Sequence, residues 1–468
     1  SIFSIKNDTE IRYYKFKMIF LNYILKYMNK LLQFCMIFST DFDIYAAKYT
    51  GSIIVDITLP VFANRGTLME ETHRKKSLFL SFLMLTSVMV GLVGLMPTAV
   101  AANETTSGTI TGTEVWSGSH TLTGSVIVGT GANLIVQPGT TVTMPNGTII
   151  DVRGGLCAGD VACGANGMAS NSSRITFNWQ DPANASATGY CAGLFNNQHY
   201  NRDPSCNEGI LLRSTVDVGA TKLNHVSITN AYGMPRWVSE ISEVRYGAIV
   251  AQGSSPTMTG LKFTGINTTS LLILDLGRPD IVGGEFTVGD DETSLVGSAI
   301  QAYGAGSVLQ PLMIDSPVFT GTDNGCGQND DGRHVLWVEE SFVNVQNAVI
   351  DNGDYGIRLD DSAGHVSSST INTACNGIDV NNKKTAGNNV AYKLIIEDNK
   401  VTTDERSPLT AFNFAWVDFN NNVIDGASGG SGIQISKSQV NVNGGSIGPI
   451  GGWNGIWSIG ESDVRVEN

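Results

Sequence analysis

The residues best placed to do chemistry lie between positions 334 and 381. Three similar blocks occur there, His334-Val-Leu-Trp-Val-Glu, Tyr355-Gly-Ile-Arg-Leu-Asp and Asn376-Gly-Ile-Asp-Val-Asn, each alternating apolar and polar side chains. Alternation with period two marks a strand with one buried face. With Leu336, Val338, Ile357, Leu359, Ile378 and Val380 turned inward, Trp337, Arg358 and Asp379 turn outward, as do Glu339, Asp360 and Asn381. Strands stacked side by side lie about 4.8 Å apart, so three carboxylates are expected close together, beside a Trp and an Arg.

Such a set suits carbohydrate. An aromatic face stacks on a sugar ring, and two carboxylates roughly 5–9.5 Å apart can hydrolyse a glycosidic bond. Crowding of like charges raises one carboxyl pKa, as a general acid requires. The catalytic candidates are therefore Glu339, Asp360, Asp379 and Arg358, and the binding candidates Trp337, Arg358, Asp360, Asp379 and Asn381. Asp360 and Asp379 are also candidate calcium ligands, because Ca²⁺ prefers oxygen donors. No other cofactor is expected. The plainer alternative is a solvated strand face in an acidic protein.

Other polar groups carry less. Asp330-Asp331-Gly332-Arg333-His334 precedes the patch and offers either an acid and a base or a turn. Asp290-Asp291-Glu292 reads as a solvated loop and His225 as a turn or solvent-facing residue, while His120, His199 and His365 form no cluster in sequence. The chain has no G-x-S-x-G nucleophile elbow, since the spacings at Gly426–Gly430 and Gly444–Gly448 lack the strand-to-helix setting, and it has no phosphate-binding loop and no H-E-x-x-H.

The elements that must position these residues follow from repetition. The blocks at His334, Tyr355 and Asn376 are spaced by 21 residues, and copies follow at Ser431 and Asn454, spaced by 23. Earlier copies start at Tyr246 and Ser298, and the interval 382–430 has room for one further coil. Val345 and Ile350, Val366 and Ile371, and Val442 and Ile447 recur five apart after their blocks. Asn and Gly cluster between the strands, where turns need left-handed backbone. A unit of about 22 residues cannot bury its own apolar face, so such units must stack. A leucine-rich repeat has a similar period, but its Leu skeleton is missing. The expected fold is all-β, a right-handed parallel β-helix preceded by a signal peptide.

The segments Leu134-Ile-Val-Gln-Pro-Gly-Thr-Thr-Val142, Ile150-Asp-Val-Arg-Gly-Gly-Leu156 and Arg174-Ile-Thr-Phe177 are similar to the opening coils of exported β-helix proteins. With the later Gly-Ile strands and Asn turns, residues 110–468 resemble the pectate-lyase-like superfamily. That resemblance implies architecture more than activity, since the superfamily includes lyases, hydrolases, adhesins and surface proteins. Within residues 110–468 the Gly-His-Gly and Arg-x-Lys motifs of its polygalacturonase-like branch are missing, and Arg358 beside Asp360 is only loosely similar to the arginine base and calcium site of pectate lyases.

Charge and cysteines speak to compartment. The 468 residues carry a formal charge of −14, but residues 103–468 alone carry −18 and most of the 53 glycines. That acidity excludes a basic nucleic-acid binder. Residues 1–68 differ in composition and read as mistranslated upstream sequence or a disordered leader. Residues 69–101 read as a signal peptide, with Arg74-Lys75-Lys76, an apolar run from Ser77 to Met96 and an Ala99-Val100-Ala101 cleavage site. An uncleaved anchor is the competing reading. Residues 103–190 are expected to form an N-terminal cap and first coils, and residues 191–468 the repeats, cut before their last coil closes. Cys157, Cys163, Cys191, Cys206, Cys326 and Cys375 make an even set after that signal and are read as disulfides. Proximity pairs Cys157 with Cys163 and Cys191 with Cys206, leaving Cys326 for Cys375, out of 15 connectivities. A metal site at Cys191, His199 and Cys206 fits no zinc spacing. Asn103, Asn146, Asn171, Asn184 and Asn267 lie in glycosylation sequons.

The functional expectation is a secreted or cell-surface β-helix protein that presents a long strand face for glycan or surface binding, without catalysis. The alternative is a lyase or glycoside hydrolase acting on acidic polysaccharide. Polysaccharides or cell-surface glycans are the expected partners, with membrane contact only through a leader or a C-terminal anchor.

Overall fold

The computed structural model of the chain describes residues 45–49, 52–56 and 106–467, apart from 181–206, 240, 267, 288–297, 322–325, 327–333, 383–392 and 427. The chain divides into two units, Ser1–Met96 and Pro97–Asn468. In the first, the described residues are an antiparallel strand pair, Tyr45–Tyr49 with Ser52–Asp56. The signal-peptide segment lies outside the described residues.

The second unit is all-β. Among its described residues the only helical element is a short turn, Val161–Cys163. Strands recur in threes, and apart from the antiparallel Met234–Val238 each pairs in parallel with its counterpart one coil on, as in a β-solenoid. Sheet 1 runs from Thr106–Ile110 to Ile456–Ile459, and sheet 2 from Thr113–Trp116 to Asp463–Glu467. Sheet 3 runs from the start of Ser119–Val128 to Ser446–Ile447. Ser119–Val128 bends from sheet 3 into sheet 1 and joins the two.

Register follows the repeat. In sheet 1, Leu336, Ile357, Ile378, Leu409, Ile433 and Ile456 are successive partners. Leu409–Phe412 is thus the extra coil within the 382–430 interval. The pairs five apart are not one strand: Val345 lies in sheet 2 and Ile350 in sheet 3, as do Val366 and Ile371. The corner between them needs left-handed backbone on every coil. Asn347, Ser368, Asp398, Asn421 and Gly444 supply it in turn, with φ between 51° and 60°. Asn and Asp tolerate that region because their short polar side chains bond locally, and Gly because it has no Cβ. His225 occupies the same corner, with φ 49°.

Inward residues of the three sheets form one continuous core, in which Leu336, Val338, Leu359, Ile378 and Val380 are fully buried. Phe263, Phe286 and Phe319 stack through sheet 3 with ring centroids 5.2 and 5.3 Å apart, each contact adding about 0.5–1.5 kcal/mol beyond area burial. Buried side chains pair the corner amides, which the strand ladders cannot reach. Asn399 accepts the Ser369 N–H at 2.9 Å, and Asn422 accepts the Asn399 N–H at 3.1 Å. Ser341 accepts from Ala305 at 2.8 Å in the opposite corner.

Candidate functional site

The outer face of sheet 1 is unlike an ordinary solvated face. Along one register column it carries Asp151, Leu211, Val250, Leu272, Gln301, Trp337, Arg358, Asp379, Thr410 and Gln434. Its middle is apolar and covered. Met234–Val238 pairs antiparallel with the start of Glu243–Gln252, a hairpin whose Met234 and Val238 bury Leu211, Val250, Leu272, Leu274 and Tyr303 in a second hydrophobic cluster. This cluster explains why Thr269–Leu274 is buried throughout and apolar from Leu271 on: it is covered on both faces.

Beyond the apolar patch the predicted constellation comes together. Trp337, Arg358 and Asp379 are adjacent on three coils, and Glu339, Asp360 and Asn381 are adjacent one position pair further on. Exposure is the correction: Asp360 is fully buried and Glu339 is 4% exposed, so they are no open carboxylate face. The cause is the neighbouring arginine. The Arg358 Nε donates to both oxygens of Asp360, at 3.0 and 2.9 Å, and its side chain lies over them. Burial opposes the charge of Arg358, but Asp360, and then Asp379 and Glu339, outweigh it and raise its pKa. Asp379 is half-buried and accepts a hydrogen bond from the Thr410 hydroxyl. Burial pushes its carboxyl up despite Thr410 and Arg358, and the charge of Asp360 adds to the rise.

Trp337 is flanked by two guanidinium groups, Arg358 at 5.2 Å and Arg245 at 5.4 Å from the ring centroid. Arg245 reaches from the hairpin, donates to the Tyr303 hydroxyl at 3.2 Å and pairs with Glu243 at 2.6 Å. Tyr303 and His334 sit 6.0 Å from Trp337, and His334 stacks on Tyr355 at 4.9 Å. Arg245, Tyr303 and Tyr355 were not foreseen, since no local pattern ties the hairpin to this coil.

A second charged cluster went unforeseen at the other end of the column. Asp151, 3% exposed, accepts two hydrogen bonds from Arg213, at 2.7 and 3.1 Å, and two from Arg153, at 3.2 and 2.8 Å. Burial opposes its ionisation, but the two arginines prevail and hold its pKa below the usual range. The available signal was Asp151-Val152-Arg153, the same i,i+2 pairing as Arg358-Leu359-Asp360 in reverse order.

The remaining expectations divide cleanly. Cys157–Cys163 and Cys326–Cys375 are disulfides. Cys191, Cys206, His199, Asp290, Asp291, Glu292, Asp330 and Asp331 lie outside the described residues. Among the described residues, no three His, Cys, Asp or Glu side chains group as a metal site. Asp360 and Asp379, the candidate calcium ligands, are engaged by Arg358 and Thr410. Comparison with protein-family models, curated protein sequences and solved structures gives no match.

Proposed function

We propose that the chain is an exported or surface-attached right-handed parallel β-helix protein, akin to the pectate-lyase-like superfamily, whose sheet 1 outer face binds glycans without turning them over. The right hand follows the strong preference of parallel crossovers. Export is supported by the signal-like segment at 69–101 and by two disulfides, which persist in oxidising compartments. The observation that carries binding over catalysis is the commitment of Asp360: it is buried, and both oxygens accept from Arg358. A nucleophile or general base needs a lone pair free for the substrate. What Trp337, Arg245 and Arg358 offer is an aromatic edge between fixed hydrogen-bond donors, which suits sugar hydroxyls.

The second reading, a polysaccharide lyase or hydrolase, draws on one observation. The raised pKa of Asp379 is what a general acid needs. A panel of neutral and acidic polysaccharides titrated against the full chain tests the binding reading. Trp337→Ala should weaken any interaction roughly tenfold or more, about 1.4 kcal/mol. Equal affinity in the variant, or no binding to any polysaccharide, would refute it.

A further inference from the structure

We infer that Arg153, Arg213 and Arg236, gathered around Asp151, form a binding site for a phosphate or sulfate group. The site is separate from the Trp337 cluster. Six coil steps in the sheet 1 register lie between Asp151 and Arg358, about 29 Å at about 4.8 Å per step.

Register makes the cluster. Leu212 pairs with Val152, so Arg213 follows Arg153 one coil on. Like charges so placed repel, and the buried Asp151 carboxylate holds both side chains in place. The third guanidinium comes from the hairpin. Arg236 sits between buried Met234 and Val238, on the hairpin face packed against sheet 1. Among the described residues its only hydrogen-bond partner is the Pro235 carbonyl, at 2.7 Å, and it has no carboxylate of its own. Burial lowers its pKa first, and the nearby charge of Arg213 lowers it further, while Asp151 offsets this only in part.

Two guanidinium groups therefore bind one carboxylate and a third lies within its electrostatic reach, an excess of two positive charges in a chain that carries a net negative charge. Arg153 and Arg213 meet Asp151 through Nε and Nη2, and their Nη1 groups have no partner among the described residues. Guanidinium forks match tetrahedral oxyanions through paired N–H donors, and the charge excess matches a dianion. Free anion and ester carry the same group, so the source is decided by experiment.

Isothermal titration of the full chain at low ionic strength tests this, with sodium sulfate, sodium phosphate, dextran sulfate and unmodified dextran as titrants. Saturable binding of sulfate or phosphate at one site per chain is expected. Arg236→Gln, which keeps both Asp151 ion pairs and so the local fold, should weaken it tenfold or more, and Arg213→Gln should do the same. Arg465→Gln, an equal loss of charge at an exposed site on sheet 2, should change nothing. Dextran sulfate binding more tightly per group than inorganic sulfate assigns the site to an ester, and equal or weaker binding to the free anion. No saturable binding by any sulfate or phosphate titrant overturns the inference. So does an Arg236→Gln variant equal to wild type, or dextran binding as well as dextran sulfate.

Discussion

Early on the outer face of sheet 1, Arg153 and Arg213 bind the single carboxylate of Asp151, with the charge of Arg236 nearby; six coils further on, Asp360, Asp379 and Glu339 surround Arg358. Both clusters use an aspartate and an arginine two residues apart, Arg358 and Asp360 on one strand and Asp151 on a strand that ends just before Arg153. The sign of the surplus is opposite. Coil stacking and the hairpin bring further arginines to the first, and coil stacking brings further carboxylates to the second, so one face carries a cationic and an acidic cluster. The clusters also differ in access. The side chains of Arg153 and Arg213 are 45% and 40% exposed, whereas Arg358 is 18% exposed over a carboxylate with no exposure.

That difference in access sets the largest expected effect. Asp360→Ala takes from the mostly buried Arg358 the carboxylate to which it hydrogen-bonds, and should cost about 3–5 kcal/mol in chemical denaturation. Asp151→Ala frees two arginines that can turn to water, and should cost about 1–2 kcal/mol. Equal losses at the two positions would remove the contrast.

Next comes opposite behaviour with pH. The Asp151 carboxyl is depressed in the folded chain. Its contribution is present above the unfolded value of about 3.9 and is lost as pH falls through the folded value. The Asp379 carboxyl is raised, so the folded state holds its proton more tightly, and stability from this group declines as pH rises through the folded value. Asp379→Asn should therefore leave stability at pH 7 unchanged or improve it by up to about 1 kcal/mol, with the gain vanishing below about pH 4. Asp151→Asn should lose most at pH 7 and least below pH 3. Denaturation midpoints measured from pH 3 to pH 8 check both, and parallel profiles for the two variants would refute the assignment.

The smallest effect concerns Trp337. Arg245→Gln removes one of its two cation–π contacts, worth about 0.5–1 kcal/mol. The same change should shift the Trp337 fluorescence, and an unchanged emission spectrum would argue against the contact.

The repeats made much of this legible. Period-two alternation located Leu336, Ile357 and Ile378 in the core and Trp337, Arg358 and Asp379 outside it, because stacking in register leaves no other choice. Burial of Glu339 and Asp360 was not legible, because alternation reports which side a residue faces, not what lies over it. Thr269–Leu274 escaped for the reverse reason: buried on both faces by the hairpin, it has no alternation to read. Arg213 reaches Asp151 from 62 residues away, a convergence that appears only once register is known.

Binding without turnover at the Trp337–Arg358–Asp360 cluster is tested most directly by product analysis. Each polysaccharide that binds the full chain is incubated with it and assayed for new reducing ends and for unsaturated uronates. Neither is expected to form, and binding is expected to fall in Trp337→Ala. Product formation that disappears in Asp379→Asn would contradict it and make Asp379 the acid of an enzyme.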